Sequence, residues 1–140
     1  MCGISGVISR HLSLDSRLEL INKMISSMNH RGPDSNDFWS DDHISLGHNR
    51  LSIIDLSDNG KQPMHRGDWV ISYNGEIYNY RILREELLEK GHVFATKTDS
   101  EVVVHGFEEW GEALLPKLRG MFAFVIWNTE DRSILQRRTS

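Results

Sequence analysis

Met1-Cys2-Gly3-Ile4-Ser5-Gly6-Val7-Ile8 opens the chain, and its reading decides the architecture. Positions 3–10 interleave apolar and small residues as a strand does, and Cys2, the only cysteine among 140 residues, stands at the head of that strand. Loss of Met1 would leave a free amine and a thiol on one residue. An α-amine titrates at about 7.7–8.0, so it is a usable base near neutrality where a lysine amine is not. A thiol of pKa about 8.5 beside it can be activated without a histidine or an aspartate. A lone cysteine is also read as a small buried hydrophobe. The rest of the chain has to decide between nucleophile and filler.

Composition narrows the classes. A length of 140 residues is one domain's worth of chain, and 39% hydrophobic with 26% charged residues marks a soluble globular class. The net charge of −4, with no Lys/Arg-rich block, argues against a nucleic-acid partner. No apolar run reaches membrane-spanning length, and the N-terminus lacks the basic and apolar segments of a signal peptide. One cysteine excludes an intramolecular disulfide and fits a reducing compartment, so a cytoplasmic location is expected. The seven histidines, at 11, 30, 43, 48, 65, 92 and 105, include no helical i, i+4 pair, and no metal site is expected.

Strands and helices alternate along the chain without repeats. Apolar residues at 18, 20, 21, 24, 25 and 28 give helical spacing over 14–28, with Asp15 as the expected N-cap. The turn His30-Arg31-Gly32-Pro33-Asp34 ends it. Strands are expected at 38–39 and 44–54, then a loop over 56–66, then a strand over 69–73 that ends at Asn74-Gly75. Two helices follow. The first covers 79–90, with Ile82, Leu83, Leu87 and Leu88 on one face and Gly91 closing it; the second covers 99–110, capped by Thr98 or Asp99. Positions 120–127 read as a strand whose partner begins at 133–135. Antiparallel sheets covered by helices are the natural class, an α+β fold.

An activated thiol needs donors for an oxyanion. Asn74-Gly75 offers an amide side chain and a sterically open backbone N–H, although Asn-Gly is also the commonest hairpin signal. Arg50, in Gly47-His48-Asn49-Arg50-Leu51-Ser52, suits bidentate carboxylate recognition. Glu76 and Asp99 are carboxylates that can hold an ammonium group. Each also has an ordinary reading: surface cation, turn residue and helix cap. Taken together, one cation, two anions, two oxyanion donors and a thiol describe a pocket for an α-amino acid whose side chain ends in an acyl group. Glutamine fits, since attack at its side-chain amide releases ammonia.

Seven stretches carry a resemblance. They are Met1-Cys2-Gly3-Ile4-Ser5-Gly6, His30-Arg31-Gly32-Pro33-Asp34, Gly47-His48-Asn49-Arg50-Leu51-Ser52-Ile53-Ile54-Asp55-Leu56, Gln62-Pro63-Met64, Tyr73-Asn74-Gly75-Glu76-Ile77-Tyr78-Asn79, Thr98-Asp99-Ser100-Glu101 and Gly120-Met121-Phe122-Ala123-Phe124. In this order they resemble the glutaminase domain of class II glutamine amidotransferases, most closely that of glutamine-hydrolysing asparagine synthetases. The resemblance implies an N-terminal-nucleophile hydrolase fold, two antiparallel sheets face to face between helical layers. It implies Cys2 as nucleophile with its own α-amine as base, and Asn74 and Gly75 as the oxyanion hole. Arg50 would take the glutamine α-carboxylate, Glu76 and Asp99 the α-amine, and the main chain of Leu51, Ser52, Ile53 and Ile54 would help line the pocket. L-glutamine is the implied substrate, and association with a synthetase-type chain or a further copy is left open.

The chain departs from the family pattern at its end. The tail Ser133-Ile134-Leu135-Gln136-Arg137-Arg138-Thr139-Ser140 reads as polar and out of pattern. No Ser-Gly-Gly-containing ATP-pyrophosphate loop occurs, so ATP and magnesium are expected only in a synthetase domain that this sequence does not contain. The expectation is a glutaminase domain over 1–140, truncated, with a frameshift near Leu135 as its hypothesised origin and apolar surface left uncovered. Two alternatives stand beside it: a catalytically silent truncated product, and the glutaminase domain of another class II amidotransferase.

Overall fold

The computed structural model describes residues 2–51 and 60–139. Two antiparallel sheets organise it. The first holds β1 (Gly3–Ile8), β2 (Ser35–Ser40) and β3 (Ile44–Arg50) in the order β1-β3-β2. The second holds β4 (Met64–Arg66), β5 (Trp69–Ile77), β6 (Gly120–Asn128) and β7 (Ile134–Arg138) in that order. Helix α1 (Leu14–Ser27) packs on the first sheet, where the Asn49 amide donates to Ile25 O at 2.9 Å. Helices α2 (Tyr80–Glu89) and α3 (Asp99–Trp110), with a 3-10 turn over Gly111–Lys117, cover the second.

The pleat explains these layers. Along β5, Val70 joins Ile44, Leu46 and Trp127 in a core between the sheets, while Ile71, Tyr73 and Ile77 point the other way. There they meet Leu83 and Leu87 of α2 and Val102 and Val103 of α3 in the larger core. Polar bonds add register to this packing. Trp127 Nε1 donates to Asp41 Oδ2 at 2.7 Å, and the same carboxylate accepts from the His43 and Ile44 amides. Burial raises the Asp41 pKa, but these donors and the His43 charge outweigh it and hold the carboxyl below its usual range.

Several sequence expectations are corrected. Ser13, not Asp15, caps α1, its hydroxyl accepting from the Ser16 amide at 3.2 Å. The serine precedes the first turn, where a side chain can reach back to an unpaired N–H; Asp15 lies within that turn. On α2 only Leu83 and Leu87 are buried, whereas Ile82 and Leu88 flank them at about 100° each and stay exposed. The expected loop over 56–66 contains β4, a three-residue strand too short to leave a periodic signal. Its positions 56–59, like Ser52, Ile53 and Ile54, lie outside the described residues.

The strand expected to stop at Asn74-Gly75 runs on to Ile77, so no hairpin forms there. Cross-strand pairing with β6 is continuous from Trp69↔Asn128 to Ile77↔Gly120 and overrides the local turn preference. The polar tail also forms structure. β7 pairs with β6 from Trp127↔Ile134 to Ala123↔Arg138, and Thr139 N donates to Phe122 O at 2.9 Å. An exposed edge strand needs only backbone partners, and arginines on such an edge discourage pairing with other chains. Between β1 and this hairpin runs an open apolar groove of about 290 Å³, bordered by Ile4, Ile8, Leu46, Val125 and Ile134.

Candidate active site

A cavity of about 770 Å³ opens where the two sheets meet the start of α3. From the first sheet it is lined by Cys2, Arg50 and Leu51. From the second sheet and α3 come Asn74, Gly75, Glu76 and Asp99. Every described residue of the sequence-predicted site therefore faces one space.

Cys2 precedes β1, the strand that pairs with β3 from Gly3↔Asn49 onward, so the thiol lies against the end of β3. There it is clamped by one residue: the Leu51 amide donates to Sγ at 3.3 Å and the thiol contacts Leu51 O at 3.6 Å. The sulfur is half-buried, reachable by a ligand in the cavity.

Gly75 sits in mid-strand at φ 144°, a conformation side chains rarely adopt. A Cβ there would collide with Met121 O and with Phe122. The glycine therefore lets two backbones approach while the strand turns its edge to the cavity. Among the described residues no hydrogen bond engages the Asn74 side-chain amide, which leaves its N–H groups for a ligand.

Asp99 is held differently from what its helix position predicts. It is the first residue of α3, behind Thr98, but its carboxylate caps nothing. Asp99 Oδ2 instead accepts from the Tyr73 hydroxyl at 2.7 Å and from the Ile77 amide at 3.0 Å, which ties α3 to β5 and leaves Oδ1 for another donor. Burial, then the Asp99 charge and this bond, push the Tyr73 phenol far above its ordinary value, so it remains a donor.

His48, at the rear wall, has another task. Its Nε2 lies 2.8 Å from Tyr73 O, and since a carbonyl only accepts, that nitrogen carries the hydrogen. Burial lowers its pKa to about 4 against the raising effect of this bond, with the Arg50 charge adding to the drop. A neutral imidazole thus stitches β3 to β5, joined by Ser72 Oγ donating to Gly47 O at 3.0 Å.

Sequence reasoning missed several lining residues. Tyr73 has no assigned role in the sequence reading, yet its hydroxyl holds Asp99. Gln62 Oε1 accepts from the Tyr73 amide at 2.5 Å, and only the Gln62-Pro63-Met64 match flagged it. Arg31 lines the cavity because Gly32 presses against Asn49 and Arg50 so closely that no Cβ would fit. Arg138 and Thr139 also line it, from the tail that reads as out of pattern.

Comparison with known proteins identifies the family. The model of the glutamine amidotransferase domain family matches residues 1–139. Asparagine synthetase [glutamine-hydrolyzing] 1 of Bacillus subtilis (strain 168) is 46% identical over 143 residues, covering 99% of this chain and 22% of its own length. Asparagine synthetase [glutamine-hydrolyzing] 2 of Arabidopsis thaliana is 40% identical over 140 residues, covering 99% of this chain and 24% of its own. The chain thus spans about a quarter of the length of these curated relatives. Among solved structures, the glutamine phosphoribosylpyrophosphate amidotransferase of Bacillus subtilis superposes with a TM-score of 0.52 at 24% identity, over 61% of this chain and 21% of that one. That likeness shows the fold, the sandwich of the N-terminal-nucleophile amidotransferases. The chain belongs to the glutamine amidotransferase domain family and matches the N-terminal glutaminase part of the glutamine-hydrolysing asparagine synthetases.

Proposed function

We propose that this chain is the glutaminase fragment of an asparagine synthetase and that Cys2 cleaves the side-chain amide of L-glutamine. The supporting observation is the shared cavity: a thiol under an amide N–H on one wall, and Asn74, Gly75, Glu76 and Asp99 on the other. After removal of Met1 the Cys2 amine takes the thiol proton. The thiolate adds to the amide carbon, and its electron pair displaces the C=O π pair onto oxygen. The Asn74 amide and the Gly75 N–H stabilise that oxyanion. As the adduct collapses, the leaving amide nitrogen takes the proton from the Cys2 ammonium and departs as ammonia, leaving a γ-glutamyl thioester. Water, deprotonated by the same amine, attacks the thioester and gives glutamate and the free thiol.

Arg50 binds the α-carboxylate, while Glu76 and Asp99 Oδ1 bind the α-ammonium. Leu51 positions the sulfur, and Ser52, Ile53 and Ile54, outside the described residues, are assigned to substrate binding on the family resemblance alone. Asparagine synthesis, with ATP and magnesium, belongs to the larger part of the relatives' length and requires association with such a part. The setting is cytoplasmic; no described helix is long and apolar enough to cross a membrane.

The test is an intact mass after incubation with a diazoketone analogue of glutamine. The expected result is loss of Met1 plus one adduct, absent in Cys2→Ala. A processed, folded chain that takes no adduct would overturn the reading.

A further inference from the structure

The geometry assigns a zinc-class divalent cation to a second site, built by His92, His105 and Glu108 on the outer side of the helical layer. The absence of an i, i+4 histidine pair gave no hint of it. His92 comes from the connection after α2, its amide bonded to Leu87 O at 3.0 Å, and tertiary packing carries it to His105, thirteen residues on. Glu108 lies one turn beyond His105 on α3.

Three ligand atoms converge. The two Nδ1 atoms are 3.3 Å apart, and Glu108 Oε2 is 3.8 Å from each. A point equidistant from all three lies about 2.1 Å from each, the usual zinc–nitrogen and zinc–oxygen length. The imidazoles are nearly buried while Glu108 is exposed, so a fourth position opens to solvent and gives an entry path.

The surrounding carboxylates fix the tautomers. His92 Nε2 is 2.7 Å from Glu109 Oε2, and His105 Nε2 is 3.4 Å from Glu101 Oε1. Carboxylates accept only, so each Nε2 carries its hydrogen, and in the neutral rings each Nδ1 presents a lone pair. Two such lone pairs facing at 3.3 Å repel unless a proton or a metal cation lies between them. Carboxylates behind ligating imidazoles are the usual supports of a metal site. The neighbouring cations, Lys90 at 3.8 Å from Glu109 Oε1 and Arg66 at 3.3 Å from Glu101 Oε1, contact these supports and not the three ligand atoms. Two imidazoles and one carboxylate favour zinc over magnesium or calcium. The bound ion would staple the end of α2 to α3, well away from the thiol.

The experiment titrates the metal-free full chain with zinc chloride by calorimetry, in a Cys2→Ala background that removes the competing thiol. Cobalt(II) serves as a spectroscopic stand-in. The expected result is one equivalent bound, a cobalt absorption of tetrahedral intensity, and a zinc-dependent rise in Tm. Binding is lost in His92→Ala, weakened at least about tenfold in Glu108→Gln, and weakened about 10- to 100-fold in Glu109→Ala. Both Glu108 and the His92 connection lie outside the core, and unfolding of each metal-free variant confirms that it is folded. A folded Cys2→Ala chain that takes up no zinc, or folded His92→Ala and Glu108→Gln variants that bind as tightly as their parent, would overturn the assignment.

Discussion

The two sheets divide the chemistry unequally. The β1-β3-β2 sheet supplies the thiol and the guanidinium, Cys2 and Arg50, at strand ends where a short side chain can be aimed with little surrounding structure. The β4-β5-β6-β7 sheet supplies Asn74 and Gly75, the proposed oxyanion donors, and, with α3, the carboxylates Glu76 and Asp99; their placement depends on a glycine at φ 144° and on a long-range bond from Tyr73 to Asp99. The halves are also joined in two ways. Away from the cavity Ile44, Leu46, Val70 and Trp127 pack as apolar surfaces, pinned at the Trp127–Asp41 bond; beside it His48 and Ser72 cross the gap with two buried hydrogen bonds. Apolar packing tolerates small slides, whereas a hydrogen bond fixes register to a few tenths of an ångström. The site thus lies beside the two bonds that fix β5 directly against β3.

The sharpest way to break this comparison is at the first sheet's contribution. Cys2→Ala leaves β1 and its pairing in place but removes the reacting atom, so glutamine hydrolysis should fall at least about a thousandfold with an unchanged Tm. On the second sheet, Asn74→Ala should cost about 10²- to 10³-fold in kcat with little change in KM, since an oxyanion donor acts mainly in the transition state. A matched loss in KM would instead make Asn74 a binding residue. Gly75→Ala should behave unlike either. Its Cβ meets Met121 O and Phe122, and φ 144° is strained, so about 3 kcal/mol of stability is lost along with activity, read as a lower denaturation midpoint.

What was legible in the sequence follows the same division. Cys2, Arg50 and Asp99 are residue types whose chemistry is local, and their family pattern survives in short motifs. Asn74-Gly75 carried two meanings, turn and oxyanion hole, and the pairing with Ala123 and Phe122 on a distant strand removes the turn. Arg138 and the His92–His105 contact had no local signal at all, and Tyr73 had only its place in a matching stretch, because each acts through a residue far along the chain. The Ser133–Ser140 tail misled for a related reason: an edge strand is held by its backbone, and its side-chain pattern carries little information.

The lock between the sheets has its own signature in pH. Protonated His48 would hold a buried charge beside Arg50, with Nδ1–H lacking an acceptor among the described residues. Its pKa is about 4 folded and 6.5 unfolded, so between these values the unfolded chain binds the extra proton. The stability that comes from burying this imidazole uncharged is complete above about 6.5 and is lost as pH falls toward 4, by about 2–3 kcal/mol. Urea midpoints measured from pH 7 to 4.5 should show this slope, and His48→Asn, less stable at pH 7, should show a flatter one. An equal slope in both proteins would place the titration elsewhere.

The finest test separates orienting Asp99 from merely filling the core beneath it. Tyr73→Phe keeps the ring and its packing but removes the hydroxyl that holds Asp99 Oδ2 at 2.7 Å. The Ile77 amide, at 3.0 Å, still holds the same oxygen, so the carboxylate loses one of two restraints and not its place. A hydrogen bond to a charged acceptor contributes about 1.5–3 kcal/mol, and part is recovered when Asp99 regains water. The expected outcome is about 1 kcal/mol of stability and a several-fold rise in the KM for glutamine at nearly constant kcat. A kcat loss as large as that of Asn74→Ala would mean that Tyr73 shapes the oxyanion side through the β5 backbone, and the division of labour along that strand would have to be redrawn.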